Sequence, residues 1–502
     1  MMELPNQSRQ DLARIAVDLA LFARAGTAIL ISGELGAGKT ELARALIAAL
    51  APSGVDVEVI SPTFTIVQDY DELRVPVRHA DLYRVRGQAE IAELDLESDE
   101  SMLIVEWPER GQWRHISDRL EITLSGQGTT RNARLVGHGY WSTALERTFA
   151  IARFLQSARL DHHSRQFLQG DASFRRYERL ARQAQSLVLM DMPAHPDGPP
   201  IAGGRSYSKI AHLAEDISAV LAINGALRQF GYSAPETHAF DLAQGLAVIE
   251  DLGDDVYGRR YASGAPLTEP LQTAVALLVD MTRRKWPRKV SVDGSHWHMV
   301  SDYDEEAQLI EVDLLLSWMW PRLYGGPAPD PAIAEFRAIW KELLPLTRKA
   351  QPVWALRDFH SPNLLWLPGR SGIARVGIID TQDCVMGDPA YDLVSLLQDA
   401  RVDVDEGMMA DLFEHYCQLR AGDHGFERPA FAASFAVLGA QRATKILGIF
   451  SRLSMRDGKH GYLAHIPRVS RYLEMNLGHE TLAPLRRWFD RHLPRAKRDA
   501  GR

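Results

Sequence analysis

Ala28-Ile-Leu-Ile-Ser-Gly-Glu-Leu-Gly-Ala-Gly-Lys-Thr40 joins a short apolar run to a glycine-rich turn that ends in lysine and threonine. An apolar run of this length, followed by glycines and then by Glu41-Leu-Ala-Arg-Ala-Leu46, predicts a buried strand, a loop and a helix, which is the setting of a phosphate-binding P-loop. The glycines let the main chain approach a phosphate closely, and the first amides of the helix point at an anion. Lys39 is long enough to reach outer phosphates, and Thr40 carries a hydroxyl suited to magnesium. Gly33, Glu34, Gly36, Ala37, Gly38, Lys39 and Thr40 are the expected nucleotide-binding residues.

Working outward, an amphipathic helix is expected over residues 11–24 and a helix over 40–50, with strands at 55–60, 75–79, 102–106, 119–124 and 133–136. This alternation predicts an α/β P-loop NTPase domain over residues 1–140, and a helix over 141–160 is expected to open the next unit. A phosphate cradle needs acids for its metal. Glu106 follows the apolar Met102-Leu-Ile-Val105, and Asp81 follows the strand ending near His79; each alone reads more often as a solvated strand-end charge. In Ser61-Pro-Thr-Phe64, Thr63 offers a hydroxyl to a phosphate-sensing loop.

A second constellation lies far downstream. Leu356-Arg-Asp-Phe-His-Ser-Pro-Asn363 is followed, seventeen residues after Asn363, by the end of the apolar Ile378-Ile-Asp380. Kinase-type phosphotransfer needs one carboxylate to orient the acceptor hydroxyl, here Asp358, and an Asn and an Asp to hold magnesium, here Asn363 and Asp380. Asp388 and Asp392, in Gly387-Asp-Pro-Ala-Tyr-Asp-Leu393, read as supports, and His360 as a residue that holds the loop. A strand-rich stretch over 165–250 before a mostly helical remainder predicts an α+β, two-lobed, protein-kinase-like domain, with a small lobe at 141–253 and a helical lobe at 254–502.

Over residues 1 to about 140, the P-loop, Ser61-Pro-Thr-Phe64, His79-Ala-Asp-Leu-Tyr-Arg84 and Val105-Glu-Trp-Pro-Glu-Arg110 together resemble the TsaE family. That family is the ATPase subunit of the bacterial machinery that makes threonylcarbamoyladenosine in tRNA, acting with TsaB and TsaD. The resemblance implies ATP and Mg2+ at Lys39, Thr40, Asp81 and Glu106, and it puts Trp107 near the nucleotide, although packing in the core accounts for that ring equally well. Over most of residues 160–490, Gly170-Asp-Ala-Ser-Phe-Arg-Arg-Tyr177, Val188-Leu-Met-Asp191, Glu250-Asp-Leu-Gly253, Leu364-Leu-Trp366, Tyr391-Asp-Leu-Val-Ser-Leu-Leu397 and Arg456-Asp-Gly-Lys459 resemble the AmgK family within the aminoglycoside-phosphotransferase superfamily. Its members phosphorylate the C1 hydroxyl of N-acetylmuramate and N-acetylglucosamine. The resemblance implies a hinge at Glu250 whose backbone meets adenine. Strand 186–190 lacks the phosphate-binding lysine of the wider superfamily, so Arg176 is expected to supply that charge, with Arg175, or magnesium and backbone alone, as alternatives.

The formal charge of −8 argues against direct binding of tRNA by bulk charge, so any tRNA connection is expected to run through partners. Two cysteines, an opening without a signal core, and no apolar run of membrane length point to a cytoplasmic protein without disulfides, and the basic tail 495–502 reads as disordered. Two other functions remain open for the second half: phosphorylation of another hydroxyl acceptor, such as an aminoglycoside, choline or homoserine, or a catalytically silent nucleotide-binding regulator.

Overall fold

The computed structural model describes the chain except for residues 53, 54, 56, 169–174, 195–197, 202, 501 and 502. It divides into two compact units, Met1–Asp191 and Met192–Arg502.

The first unit is built on strands β1 (Met2–Ser8), β2 (Ala28–Gly33), β3 (Val67–Tyr70), β4 (Val77–Asp81), β5 (Met102–Glu106), β6 (Arg119–Ser125) and β7 (Thr130–Gly137). They form one sheet in the order β1-β7-β6-β2-β5-β4-β3. β2 runs parallel to both β5 and β6 and is almost wholly apolar, as a strand covered on both faces must be. Helices α1 (Arg9–Ala20) and α2 (Lys39–Ala48) flank β2 in sequence, with a short α3 (Gln88–Glu93) further on. A reciprocal capping box between Ser8 and Asp11 starts α1. The parallel register places Asp81 beside Glu106 at the ends of β4 and β5, so the sheet itself assembles two carboxylates next to the loop that follows β2.

Three local expectations are corrected. The described residues in 55–60 form no strand, while β1 and β3 are present without having been anticipated, because their sequences show no clean apolar alternation. Helix α4 (Tyr140–Ser157) does not open the second unit. Trp141 is fully buried, and Gly137 lies so close to it that a Cβ there would meet the Trp141 carbonyl at 2.2 Å, so α4 packs on the sheet it follows.

Beyond α4, strands β8 (Ser164–Leu168), β9 (Arg176–Arg182) and β10 (Gln185–Asp191) form an antiparallel meander within the first unit. Charges tie it to α1 and α4. Arg165 pairs with Asp18 of α1 at 2.6 Å and with Glu178 at 2.7 Å. Arg176 lies directly opposite Asp191, reaches Glu178 at 3.0 Å and Asp191 at 3.3 Å, and covers the Phe22 ring at 3.3 Å. Arg147 of α4 closes the series on Asp191 at 2.6 Å. Three guanidinium groups face three carboxylates, which offsets the desolvation that each would otherwise suffer.

The second unit begins with little sheet, including the hairpin Thr237–Asp241 and Leu246–Glu250, and becomes mostly helical. Its core includes stacked Trp286 and Trp354, 4.6 Å apart. The 30-residue helix Arg428–Asp457 runs through it. Gly448 of that helix lies against the helix Glu305–Leu314, where a Cβ would meet the Leu314 carbonyl carbon at 2.4 Å. This close crossing brings Glu311 and Lys445, one from each helix, to within 2.8 Å. The tail is not loose: Arg495–Ala500 is helical, and Arg498 is buried against Glu474 and the Leu493 carbonyl.

Candidate active sites

In the first unit, Gly36 and Gly38 adopt φ of +80° and +97°, left-handed values that glycine accepts without strain and that fold the loop back over the start of α2. Arg131 of β7 holds the loop from behind, donating to the carbonyls of Ala37 at 3.1 Å and Gly36 at 3.0 Å. The Lys39 ammonium bonds the carbonyls of Gly33 at 2.8 Å and Glu34 at 2.9 Å, and stands 3.5 Å over the Trp107 ring. Burial lowers its pKa, against the pull of Glu106, Glu109 and Asp81. Trp107 takes a left-handed φ of 58°, which turns its ring from the end of β5 toward that lysine. Trp107 also packs against the buried core beside β5, so its position meets both accounts of the ring.

The acids converge as well. Thr40 Oγ1 donates to Glu106 Oε2 at 2.7 Å, and the buried His79 Nε2 lies 3.1 Å from Glu106 Oε1. Thr63 Oγ1 donates to Asp81 Oδ2 at 2.9 Å and meets Ser61 Oγ at 2.8 Å, while the Tyr83 amide donates to Asp81 Oδ1 at 3.0 Å. A cavity of about 880 Å³ lined by Gly36, Ala37, Gly38, Glu41, Arg44 and Arg131 adjoins the loop.

In the second unit, the catalytic segment is held by two short antiparallel pairs, Val353–Ala355 with Val385–Gly387 and Leu364–Trp366 with Val376–Ile378. They bring Asp358, Asn363 and Asp380 together. Asn363 Nδ2 donates to the Asp358 carbonyl at 3.1 Å and lies 3.5 Å from Asp380 Oδ2. Its amide nitrogen is thus engaged, and its carbonyl oxygen is the atom to offer a cation. Asp380 has φ 61°, a conformation that a non-glycine residue keeps only under outside constraint. Gln382 supplies part of that constraint, donating to Asp380 Oδ1 at 2.9 Å. Burial alone would raise the Asp358 carboxyl, yet the hydrogen bond and charge of His360, with Arg442 and Lys445 behind it, hold it well below the usual carboxylate range. His360 Nε2 is 3.5 Å from Asp358 Oδ1.

The supports lie where loop geometry needs them. Asp392 accepts the amides of Leu356 at 2.6 Å and Arg357 at 2.9 Å, and burial pushes it up to about 7. Asp388 accepts the Ala390 amide and the Ser434 hydroxyl, both at 2.8 Å, and burial pushes it up to about 6. Beneath the loop, the fully buried Glu311 gathers Arg357, Tyr303, Lys445 at 2.8 Å and Gln441 at 2.9 Å. Burial would raise Glu311, and the charges of Lys445 and Arg357 outweigh it, leaving the carboxyl lowered to about 2.

One expected nucleotide contact needs revision. Arg176 is not poised for a phosphate, because its guanidinium is engaged by Glu178, Asp191 and Phe22. The glycine-rich Gly170-Asp-Ala-Ser-Phe174 falls outside the described residues. The Glu250 carboxylate is held by Arg228 at 3.0 Å and by Arg370, and its amide donates to the Glu236 carbonyl at 2.7 Å, so its backbone carbonyl is the group that remains for a base. Lys209, the single lysine between 148 and 250, lines a cavity of about 170 Å³ with His212, His298 and Gln382. The functional groups that went unassigned in the sequence are Arg131, Glu311, Gln382, Arg442 and Lys445. Gln382 could have been found from its spacing of two after Asp380; the others are brought in by distant elements and carry no local signal.

The oxygen donors Asn363 and Asp380, and Thr40, Asp81 and Glu106, suit a hard cation such as magnesium. Among the described residues, no group of three or more His, Cys, Asp or Glu side chains could hold a metal alone.

A family model described as threonylcarbamoyl adenosine biosynthesis protein TsaE matches residues 6–134, and one described as phosphotransferase enzyme family matches residues 164–430. The N-acetylmuramate/N-acetylglucosamine kinase of Caulobacter vibrioides is 38% identical over 70% of this chain and 97% of its own length. The protein of the same name from Neisseria meningitidis is 31% identical over 64% of this chain and 87% of its own. The tRNA threonylcarbamoyladenosine biosynthesis protein TsaE of Streptomyces coelicolor is 38% identical over 25% of this chain and 90% of its own. The chain therefore belongs to the phosphotransferase enzyme family, among the N-acetylmuramate/N-acetylglucosamine kinases, and its N-terminal part belongs to the TsaE family. It is a fusion of an α/β P-loop ATPase with a kinase-like enzyme, and both families imply ATP. No described helix is long and apolar enough to cross a membrane.

Proposed function

We propose that the chain is bifunctional: a kinase that phosphorylates the C1 hydroxyl of N-acetylmuramate and N-acetylglucosamine, and an ATPase that serves threonylcarbamoyladenosine formation on tRNA. The observation that carries the kinase reading is the convergence of Asp358, Asn363 and Asp380 in a chain spanning 97% of a relative of that name. Asp358 orients the sugar hydroxyl and accepts its proton. The hydroxyl oxygen then bonds to the γ-phosphorus as the bond to the bridging oxygen breaks, and ADP leaves. Asn363 and Asp380 hold magnesium, which neutralises charge on the triphosphate. Glu250 and its neighbours offer backbone groups to the base.

In the N-terminal unit, Gly33 to Thr40 bind the phosphates, Thr40, Asp81 and Glu106 serve the metal, and Thr63 lies in the loop that senses the third phosphate. Its partners are TsaB- and TsaD-type subunits, tRNA being met through them, and the setting is the cytoplasm. The test is a panel of acceptors offered with labelled ATP to the full-length chain. Transfer to the two N-acetylated amino sugars supports the reading; transfer to aminoglycosides, choline or homoserine instead rejects it.

A further inference from the structure

The helix Arg428–Asp457, which brings Arg442 and Lys445 to the catalytic loop, continues past them. Arg452 lies on the same helical face as Lys445, two turns and about 10 Å further along. The first two cations are committed: Arg442 donates to the Arg357 carbonyl at 3.0 Å, and Lys445 pairs with Glu311 at 2.8 Å. Arg452 makes no hydrogen bond and no ion pair with any described residue. Its Nε is buried without a partner, and its guanidinium stands 5.3 Å from the centre of the Tyr207 ring. Burial lowers its pKa. The nearest opposite charge is already taken, since Asp457 pairs with Arg456 at 2.7 Å. Tyr207 links the place to the reaction centre, because its short helix Tyr207–Ile210 packs against the helix Glu305–Leu314 that carries Glu311.

A half-buried guanidinium whose one nearby carboxylate is shared with Arg456 suits the seat of a further anion. Its planar fork fits a carboxylate through two parallel hydrogen bonds. The two proposed acceptors differ in one such group: N-acetylmuramate carries a lactyl carboxylate on O3, where N-acetylglucosamine carries a hydroxyl. We infer that Arg452 receives the lactyl carboxylate of N-acetylmuramate and so sets the preference between the two sugars, a reading that rests on the amino-sugar kinase function proposed above. A phosphate of ATP is the less suitable occupant, because the triphosphate belongs beside Asp380 and the charged groups acting on Arg452 are Arg456 and Asp457.

The test uses the full-length chain and steady-state kinetics with both sugars. In Arg452→Met, the ratio of kcat/KM for N-acetylmuramate over N-acetylglucosamine should fall on the order of 10- to 100-fold, mainly through KM, with partial recovery in Arg452→Lys. In the unmodified enzyme, the methyl ester of N-acetylmuramate should lose a similar factor relative to the free acid, and Arg452→Met should no longer distinguish the two. This arm does not depend on the variant folding. A ratio unchanged in the variant, an equal fall for both sugars, or an ester as good as the acid overturns the assignment. If the unmodified enzyme phosphorylates neither sugar, the amino-sugar reading itself fails, which is a different result.

Discussion

Glu311 and Lys445 form an ion pair of 2.8 Å beneath the catalytic loop, with Glu311 fully buried and joined on its other side by Arg357. Two cations on one carboxylate leave the cluster one charge positive next to Asp358. The helix crossing at Gly448 makes that geometry available. Glu311→Ala would leave two desolvated cations without a partner, at a cost of about 3–5 kcal/mol. Denaturant unfolding monitored through the tryptophans of the second unit should register the loss, and a change below about 1 kcal/mol would show that the cluster is unimportant for stability.

The two sites are built from different residues and should fail separately. Asp358→Asn should reduce sugar phosphorylation by on the order of 1,000-fold or more while sparing the ATPase, and Lys39→Ala should do the reverse. Equal loss of both activities in either variant would refute two independent centres.

Acid sensitivity follows from the lowered pKa of Asp358. Its stabilising contribution is present above the unfolded carboxylate pKa of about 4 and is lost as pH falls from there toward the lower folded value. Between pH ~5 and ~2, the unfolding free energy of the native protein should therefore fall more steeply than that of Asp358→Asn. Parallel curves would contradict the assignment of His360, Arg442 and Lys445 as its partners.

Arg165 pairs with Asp18 at 2.6 Å and Glu178 at 2.7 Å, joining the P-loop fold to the strands that follow α4. Arg165→Ala should destabilise the first unit by about 3 kcal/mol, and the loss should change little with added salt because the charges are buried. An effect that vanished in high salt would instead describe a surface pair.

Lys39 lies 3.5 Å from the Trp107 ring. When ATP draws the ammonium toward its phosphates, the fluorescence of that ring should change. The response should disappear in Trp107→Phe; an identical change in that variant would place the reporting tryptophan elsewhere.

Both phosphate-handling segments were legible in the sequence because each is local. The P-loop is one strand, turn and helix, and Asp358, Asn363 and Asp380 are carried by one short stretch of chain. The misjudged parts depend on distant partners. Arg176 looked like a phosphate ligand until strand pairing put Asp191 opposite it. The tail looked disordered by composition, whereas Arg498 reaches Glu474 and is buried. The helix at 140–157 carries no mark in its own sequence of which unit it joins; that was decided by the close approach of Trp141 to Gly137.

The amino-acid order by itself determined which segments carry the expected phosphate-binding and hydroxyl-orienting groups, and that two such segments share one chain. Tertiary structure alone decided how those groups are held and charged, through Arg131 behind the P-loop, Glu311 and Lys445 under the catalytic loop, and Arg452 left without a partner. The physical reason is range. Loop and strand-end motifs act across a few residues, whereas desolvation and ion pairing depend on neighbours that only folding brings near.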